Sequence, residues 1–490
     1  MDAQPLTVSQ LAIRTKQSPD PSDHGHGAPS TLPGPGLMIL PVELLSEICR
    51  HLCLHCYAEH DAKAAFAPPK RDEKAALRSL CLTCRLLRTI AQPFLFHALA
   101  TSRRDTLGLF VRSLLDRADL RPSVSQVVVT QSPQDRSPVY PRTGPVIEEV
   151  MDRLRAWAWP PFWCDLISES EAVREYSLPH DSAYQRLGVL AALLLHLTPK
   201  LTSTAVFMPA TIGMAYAFML SPLGNTRRLA SLKWLCFSNN DGRSSTHTIT
   251  DMAPILREAS SLETLECHGW RQTSIETKPL SAVLGWMMPA DTALYGLTEL
   301  SLVDIRLPFE YFQDLMKLVG PRLARFTIQQ HTVVFFSLAA VIAELQPWRG
   351  TLRSLAYRLK EDALGHPRQA SPVAHLLREF GALERVDTHV HCLGTEEGAR
   401  PEDALAPSLR HLRLRGDMVD NSLPLQGLLD AVRVGDFPRL AEIVIDQCPW
   451  ICPVDGVTSG REAEAKLSAV ALAFRERGVR LVADEAPETY

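Results

Sequence analysis

The sequence predicts an α/β fold: a curved array of stacked repeats, or solenoid, with parallel strands on the concave side and helices on the convex side, preceded by a small all-helical module. Three observations predict it. An apolar pattern of the form L-x-x-L-x-L recurs at steps of 26 to 35 residues. Helix-like segments lie between its copies, and two apolar helical stretches precede the first copy.

The repeat pattern is strongest in the second half of the chain. Its clear copies begin at Leu232, Leu262, Leu297, Leu323, Leu352, Leu383, Leu409 and Leu440, weaker copies begin at Val124 and Leu201, and 478–482 is a candidate closing strand. The predicted helices between strands cover 252–259, 309–319, 336–345, 373–380 and 425–432. Any α/β protein with right-handed crossovers also alternates strand and helix, but the regular placement of each strand after a helix favours a solenoid.

The composition divides the chain into three parts. Residues 1–36 are rich in Pro, Gly, Ser, Asp and His and predict a disordered tail. Residues 37–99 predict the helical module, and 100–490 the solenoid, with an insertion at about 131–183 where Pro and Trp interrupt the period.

The module is expected to hold two main helices. Pro41 suits the first position of a helix whose apolar side carries Leu44, Leu45 and Ile48. A polar loop over 57–74 leads to a second helix over about 75–91, which should end before Pro93. That helix carries one apolar stripe through Leu77, Leu80, Cys81, Cys84, Leu87 and Ala91 and another through Leu82, Leu86 and Ile90. Two apolar faces require a cover, which either the solenoid or a partner protein supplies.

The bulk composition excludes several function classes. The net charge of −4 gives no basis for binding nucleic acid or an anionic membrane. The longest apolar run, 189–197, is shorter than the roughly 20 residues of a spanning helix, so core packing is the better interpretation. The eleven cysteines show no disulfide spacing and the start of the chain no secretory signal, so we expect the cytoplasm or the nucleus.

Two clusters suggest chemistry, and both favour a structural interpretation. Cys53-x-x-Cys56 and Cys81-x-x-Cys84 have spacings found in zinc sites, but the second pair fits helix packing, so no metal or other cofactor is expected. Asp387, His389, His391 and Cys392 fall on a repeat strand, where alternation predicts a solvated face. Nucleotide-binding and hydrolase motifs are missing from the sequence, which therefore predicts no enzyme.

The side chains between the apolar positions of each repeat should line the concave side. Those considered for binding a partner are Arg325, Arg358, Arg385, His411, Arg413 and Arg415, with His389 nearby. Such cations could favour acidic or phosphorylated partners, although Glu266, Asp387 and Glu442 interrupt the series and an ordinary solvated face is the alternative.

The segments LPVELLSEI at 40–48 and LRSLCLTCRLLRTIAQPFLF at 77–96 together resemble the F-box family, and the rest of the chain is similar to leucine-rich-repeat halves of F-box proteins. The resemblance implies a three-helix module that docks on a Skp-type adaptor and, through it, a cullin. It places Leu40, Pro41, Leu44, Leu45, Ile48, Leu52, Leu80, Cys84 and Arg85 at or beneath that interface. The implied function is substrate recognition for ubiquitin-dependent degradation by a ubiquitin ligase, with an unknown protein substrate on the repeats. The alternative is a leucine-rich-repeat scaffold whose N-terminal helices only cap the array.

Overall fold

The computed structural model describes the greater part of the predicted module and of the repeats. Its described residues are 39–53, 56, 71–101, 104–129, 149–150, 152–154, 190–207, 229–238, 253–270, 294–330, 336–359, 374–389, 405–415, 422–446 and 460–484. The predicted tail and most of the predicted insertion lie outside them.

Twelve parallel strands form one sheet in which each strand pairs only with its neighbours in chain order. This confirms the prediction of an α/β fold with a single parallel sheet, and the topology is compatible with a solenoid. The strands are β1 Ala98–Thr101, β2 Gln126–Val129, β3 Ser203–Phe207, β4 Trp234–Ser238, β5 Thr264–His268, β6 Glu299–Ile305, β7 Arg325–Gln330, β8 Ser354–Leu359, β9 Arg385–His389, β10 His411–Arg415, β11 Glu442–Asp446 and β12 Arg480–Asp484.

The helices are short elements before and between the strands, as parallel pairing requires a crossover from one strand to the next. They are α1 Val42–His51, α2 Arg71–Thr83, α3 Arg85–Phe96, α4 Arg104–Asp116, α5 Ala253–Glu258, α6 Phe309–Leu318, α7 Leu338–Leu345, α8 Ala374–Leu377, α9 Ser422–Val434 and α10 Gly460–Arg475. Helices α5 to α9 fall where the sequence predicts them. Residues 190–197 are also helical, and all of them except His196 lie in the main core, which confirms the packing interpretation of the 189–197 run.

One apolar position is aligned across the sheet and forms the centre of the core. Leu300 pairs with Phe326, Phe326 with Leu355, and Leu355 with Val386. Val386 then pairs with Leu412. Leu300, Leu355 and Leu412 are at most 2% exposed, and side chains of the covering helices share their cluster. These three leucines are the second apolar positions of the copies that begin at Leu297, Leu352 and Leu409, so the repeat pattern places them at equivalent positions in the core.

The first strand, β1, was not predicted. It lies across the expected boundary at residue 99 and has one large apolar residue, Leu99, which pairs with Val127 of β2. The backbone carbonyl of His97 accepts hydrogen bonds from the amides of Ser125 (2.9 Å) and Gln126 (3.0 Å) and so begins this pairing. The sheet therefore starts directly at the end of α3.

The predicted helix over 75–91 is wrong, because the chain forms two helices with a break at Cys84. Cys84 has extended backbone angles (φ −154°, ψ 169°), and its sulfur accepts a hydrogen bond from the amide of Leu87 at 3.5 Å. It therefore caps α3 instead of continuing a helix. Pro93 lies inside α3, which loses one internal hydrogen bond there but continues to Phe96.

Two further expectations for the module need correction. Pro41 is the cap of α1 and not its first residue; its carbonyl accepts from the amide of Leu45 at 3.1 Å. The loop expected over 57–74 is shorter at its end, because α2 begins at Arg71. The rest of that loop, apart from the described helix start, lies outside the described residues.

Replacing Leu412 by Ala should lower the free energy of unfolding by about 2–5 kcal/mol, because the cavity remains between stacked units. Leu300→Ala and Leu355→Ala should cost the same order. Ser301, whose side chain lies on the opposite face and is only partly buried, is the control position. Chemical denaturation of each variant measures the effect; a Ser301→Ala loss as large as that of Leu300→Ala would contradict the register.

Gly320 allows a close approach between neighbouring units. A Cβ at this position would lie 2.6 Å from the Cα of Tyr295, whereas a Cβ at Gly350 would meet nothing within 4 Å. The carbonyl of Gly320 also accepts from Nε1 of buried Trp348 at 2.6 Å. Gly320→Ala should therefore destabilise the protein by about 1–3 kcal/mol, and Gly350→Ala should not. Thermal unfolding of the two variants measures the difference. Equal unfolding temperatures would contradict the prediction, because they would mean that the backbones at Gly320 and Tyr295 separate without loss of stability.

Candidate functional site

The helical module has a core of its own, separate from the core of the sheet. Leu45, Cys49, Leu77, Leu87, Ile90 and Ala91 are buried together, with Leu52, Leu80 and Cys84 packed against them. The first predicted apolar stripe therefore packs within the module, between α1, α2 and α3. Several other apolar residues of the module are not part of this core.

The remaining apolar residues are exposed in two groups, which we call together the module surface. It comprises Ile39 (73% exposed), Leu40 (36%), Val42 (49%) and Leu44 (51%) at the start of α1, and Leu82 (78%) and Leu86 (40%) at the corner between α2 and α3. These are six of the ten large apolar side chains exposed among the described residues. Such concentration in one small module is typical of a protein-binding surface.

The predicted adaptor-binding residues divide by exposure. Leu40, Pro41, Leu44 and Arg85 are exposed, Leu45 is buried in the module core, and Ile48, Leu52, Leu80 and Cys84 are partly buried. The sequence missed Ile39 and Val42, which fall outside the helical stripe. It did find Leu82 and Leu86 as members of a second stripe, although not as site residues.

The second stripe decides whether the array covers the module. Leu82 and Leu86 are exposed, so described parts of the array do not cover them, and only Ile90 of that stripe is buried, within the module's own core. This arrangement does not favour helices that merely cap the array.

The face of the sheet opposite the core, which we call the open face, carries a network of ion pairs in its later strands. Asp387 accepts from Nε of Arg358 at 2.9 Å and from Nε of Arg415 at 2.7 Å. Arg415 also lies 3.3 Å from Asp446, which accepts from Nε of Arg413 at 2.6 Å. Three of the predicted substrate-binding arginines are therefore engaged within the protein.

The carboxyl group of Asp387 has a pKa below its ordinary value. Burial alone would raise this pKa, but the hydrogen bonds and charges of Arg415 and Arg358 lower it and outweigh burial. Asp387 is consequently ionised at neutral pH, held by its two arginines.

The cations outside this network lie near the beginnings of the strands. Arg325 pairs with Glu299, and His411 lies 3.4 Å from Glu442. Among the described residues, no ion pair involves Arg385. A shallow groove of about 630 Å³ runs past the starts of β7 to β9 and is lined by Arg322, Arg325, Arg353, Arg385 and one acidic residue, Glu384.

The two halves of the open face differ in chemistry. On the earlier strands, Val128, Ala205, Trp234 and Cys236 form a buried apolar cluster. Beside it, Glu266 is also buried and accepts from Nε1 of Trp234 at 3.2 Å. Polar, partly exposed side chains therefore concentrate on the later strands. Ala356 of β8 is an exception: it was expected on the solvated face, but it is buried. It is a small residue that lies between Thr327 and Asp387 of the adjacent strands.

The Asp387 and His389 pair has structural partners. His389, expected on a solvated face, is buried, and its Nε2 accepts from the backbone amide of Leu359 at 2.9 Å. Asp387 is held by its two arginines. His391 and Cys392 lie outside the described residues.

Comparisons with known proteins give no relative: neither the family models nor the curated proteins match this sequence. The resemblances to F-box and leucine-rich-repeat proteins therefore stay predictions from the residues. Among the helices that the structure describes, none has the length and apolar character needed to cross a membrane.

Replacing Asp387 by Asn should lower the free energy of unfolding at neutral pH by about 1.5–3 kcal/mol, because charged hydrogen bonds are lost. A depressed pKa stabilises the folded state above the ordinary Asp pKa of about 3.9 and loses this effect as the pH falls through the depressed value. The difference between wild type and variant should thus shrink on acidification.

The control is Asp430→Asn, which removes an exposed ion pair with Arg433 and should have little effect. Denaturant unfolding between acidic and neutral pH measures both variants. A pH-independent difference for Asp387→Asn would contradict the ionised network.

Proposed function

We propose that the chain is a substrate-recognition adaptor of a Skp–cullin–F-box ubiquitin ligase, with an F-box module at 37–99 and a leucine-rich-repeat solenoid after it. In this proposal the protein is not an enzyme. The module docks on a Skp-type adaptor and through it on a cullin, and the solenoid holds a protein substrate.

The observation that carries the proposal is the module surface. Leu82 and Leu44 expose more than half of their area although the module has a complete small core beneath them. The same residues lie in the two segments that resemble the F-box. A partner that buries these side chains accounts for both features.

The groove at the starts of β7 to β9 supports a role in substrate binding. Four arginines and one glutamate line it, and arginine binds carboxylates and phosphates through paired hydrogen bonds. We infer an acidic or phosphorylated protein segment as the substrate feature. Of the arginines predicted to bind the substrate, Arg325 and Arg385 line the groove and keep this role. Arg358, Arg413 and Arg415 instead form the ion-pair network of the open face.

The division into two surfaces explains how such a protein works without an active site. A substrate held on the solenoid remains near the conjugating enzyme that the cullin brings, so its effective concentration there rises. The chain contributes geometry, and the chemistry belongs to its partners.

The test is recovery of a Skp-type adaptor and a cullin with the purified full chain. Leu82→Asp together with Leu44→Asp should reduce adaptor affinity at least tenfold, because burying one leucine contributes about 1.5–3 kcal/mol. Both positions are exposed, so folding should be unchanged.

The matched control is Leu472→Asp, since Leu472 is 59% exposed on α10, far from the module in sequence. It should bind the adaptor as the wild type does. Failure of the wild-type chain to recover an adaptor, or equal recovery with the Leu44 and Leu82 variant, would remove the ligase role and leave the scaffold alternative.

A further inference from the structure

Three metal-ligating side chains meet where the helical module joins the sheet. The sulfur of Cys53 lies 3.8 Å from Nδ1 of His97, and the sulfur of Cys56 lies 3.2 Å from the same nitrogen. The three donor atoms all lie within 4.8 Å of one another. Cys53 is 4% exposed, and Cys56 and His97 are partly buried, so the cluster lies at the edge of the interior.

The backbone holds Cys53 and His97 in place. Cys53 follows the end of α1, where its amide donates to the carbonyl of Arg50 at 3.1 Å. His97 caps the end of α3, and its ring lies against that of Phe94 with the centroids 5.1 Å apart. The carbonyl of His97 also accepts hydrogen bonds from the start of β2. The backbone of His97 is therefore held both by α3 before it and by the sheet after it.

We propose that Cys53, Cys56 and His97 bind a zinc ion. In a tetrahedral zinc site the metal–ligand lengths place a sulfur and a nitrogen about 3.6 Å apart, and the two observed separations fall on either side of that value. Two thiolates and one imidazole are ligands that zinc prefers, and they would fill three of its four positions.

The sequence suggests Cys53 and Cys56 together with Cys81 and Cys84, and it predicts no metal. In the structure, the second pair is not part of the cluster. Cys81 packs against the module core and Cys84 caps α3. The donor that completes the cluster, His97, lies 41 residues after Cys56, so no local motif shows it.

A metal at this place would join the end of α1 to the junction of α3 and β1. It would therefore fix the orientation of the module on the sheet, and part of its binding energy would stabilise that joint. This inference does not depend on the proposed ligase role, because it concerns only how the two parts of the chain are held.

The experiment measures metal in the full chain purified without chelators. Elemental analysis should find about one zinc ion per chain, and replacement by cobalt(II) should give the absorption bands of thiolate-to-metal charge transfer. Cys53→Ala with Cys56→Ala should lose both signals. Cys81→Ala, a cysteine of the same module outside the cluster, should retain them.

The histidine is tested separately, so that a misfolded double variant does not decide the matter. His97→Cys keeps a donor and should retain the metal, whereas His97→Phe keeps a ring without a donor and should lose it. Wild-type protein without metal and without cobalt spectra, or with a Cys53–Cys56 disulfide by mass spectrometry, would overturn the proposal. Equal metal content in the Cys53 and Cys56 variant would overturn it as well.

Discussion

The alignment of one core position along the parallel strands, apolar on all of them except β3, where it is Thr204, is the constraint on which the rest of the fold depends. A unit of 26 to 35 residues has too little chain to cover both sides of its strand, so the leucine that it presents is buried only when the next unit stacks on it. Leu300, Leu355 and Leu412 are such positions, and their burial determines which face of the sheet the adjacent side chains occupy. The core is therefore continuous from β1 to β12.

The same alternation produces the ion-pair network on the open face. When one residue of a strand enters the core, the next is presented beside its counterparts on strands about 4.8 Å away. Asp387, Arg415 and Asp446, which belong to three different repeats, become neighbours in this way. An arginine that is isolated in the sequence is thus neutralised in space, and the cations still available are those at the strand starts, such as Arg385.

Sequence reasoning predicts features that repeat and misses features that occur once. The L-x-x-L-x-L period located the strands from Val124 to Leu440 because each copy repeats the same requirement for burial. β1 has one large core residue and no period, so it was missed. The break at Cys84 depends on one sulfur accepting from the amide of Leu87, and the helical period continues on both sides of it. The cluster of Cys53, Cys56 and His97 joins elements that only the fold brings together. The module surface was predictable in part, because Leu82 and Leu86 form a second stripe, whereas Ile39 and Val42 precede any period.

The helical module has exposed leucines above a core of its own. Its small core is complete without Leu44 and Leu82, and the described parts of the array leave both exposed. Among the described residues of the array, the four exposed large apolar side chains, Leu109, Tyr295, Val434 and Leu472, are widely separated in sequence. Burying one leucine side chain contributes up to about 1.5–3 kcal/mol. A partner that covers these leucines would gain this free energy on binding. The exposed leucines therefore indicate that the apolar surface a partner would cover lies on the helical module and not on the sheet.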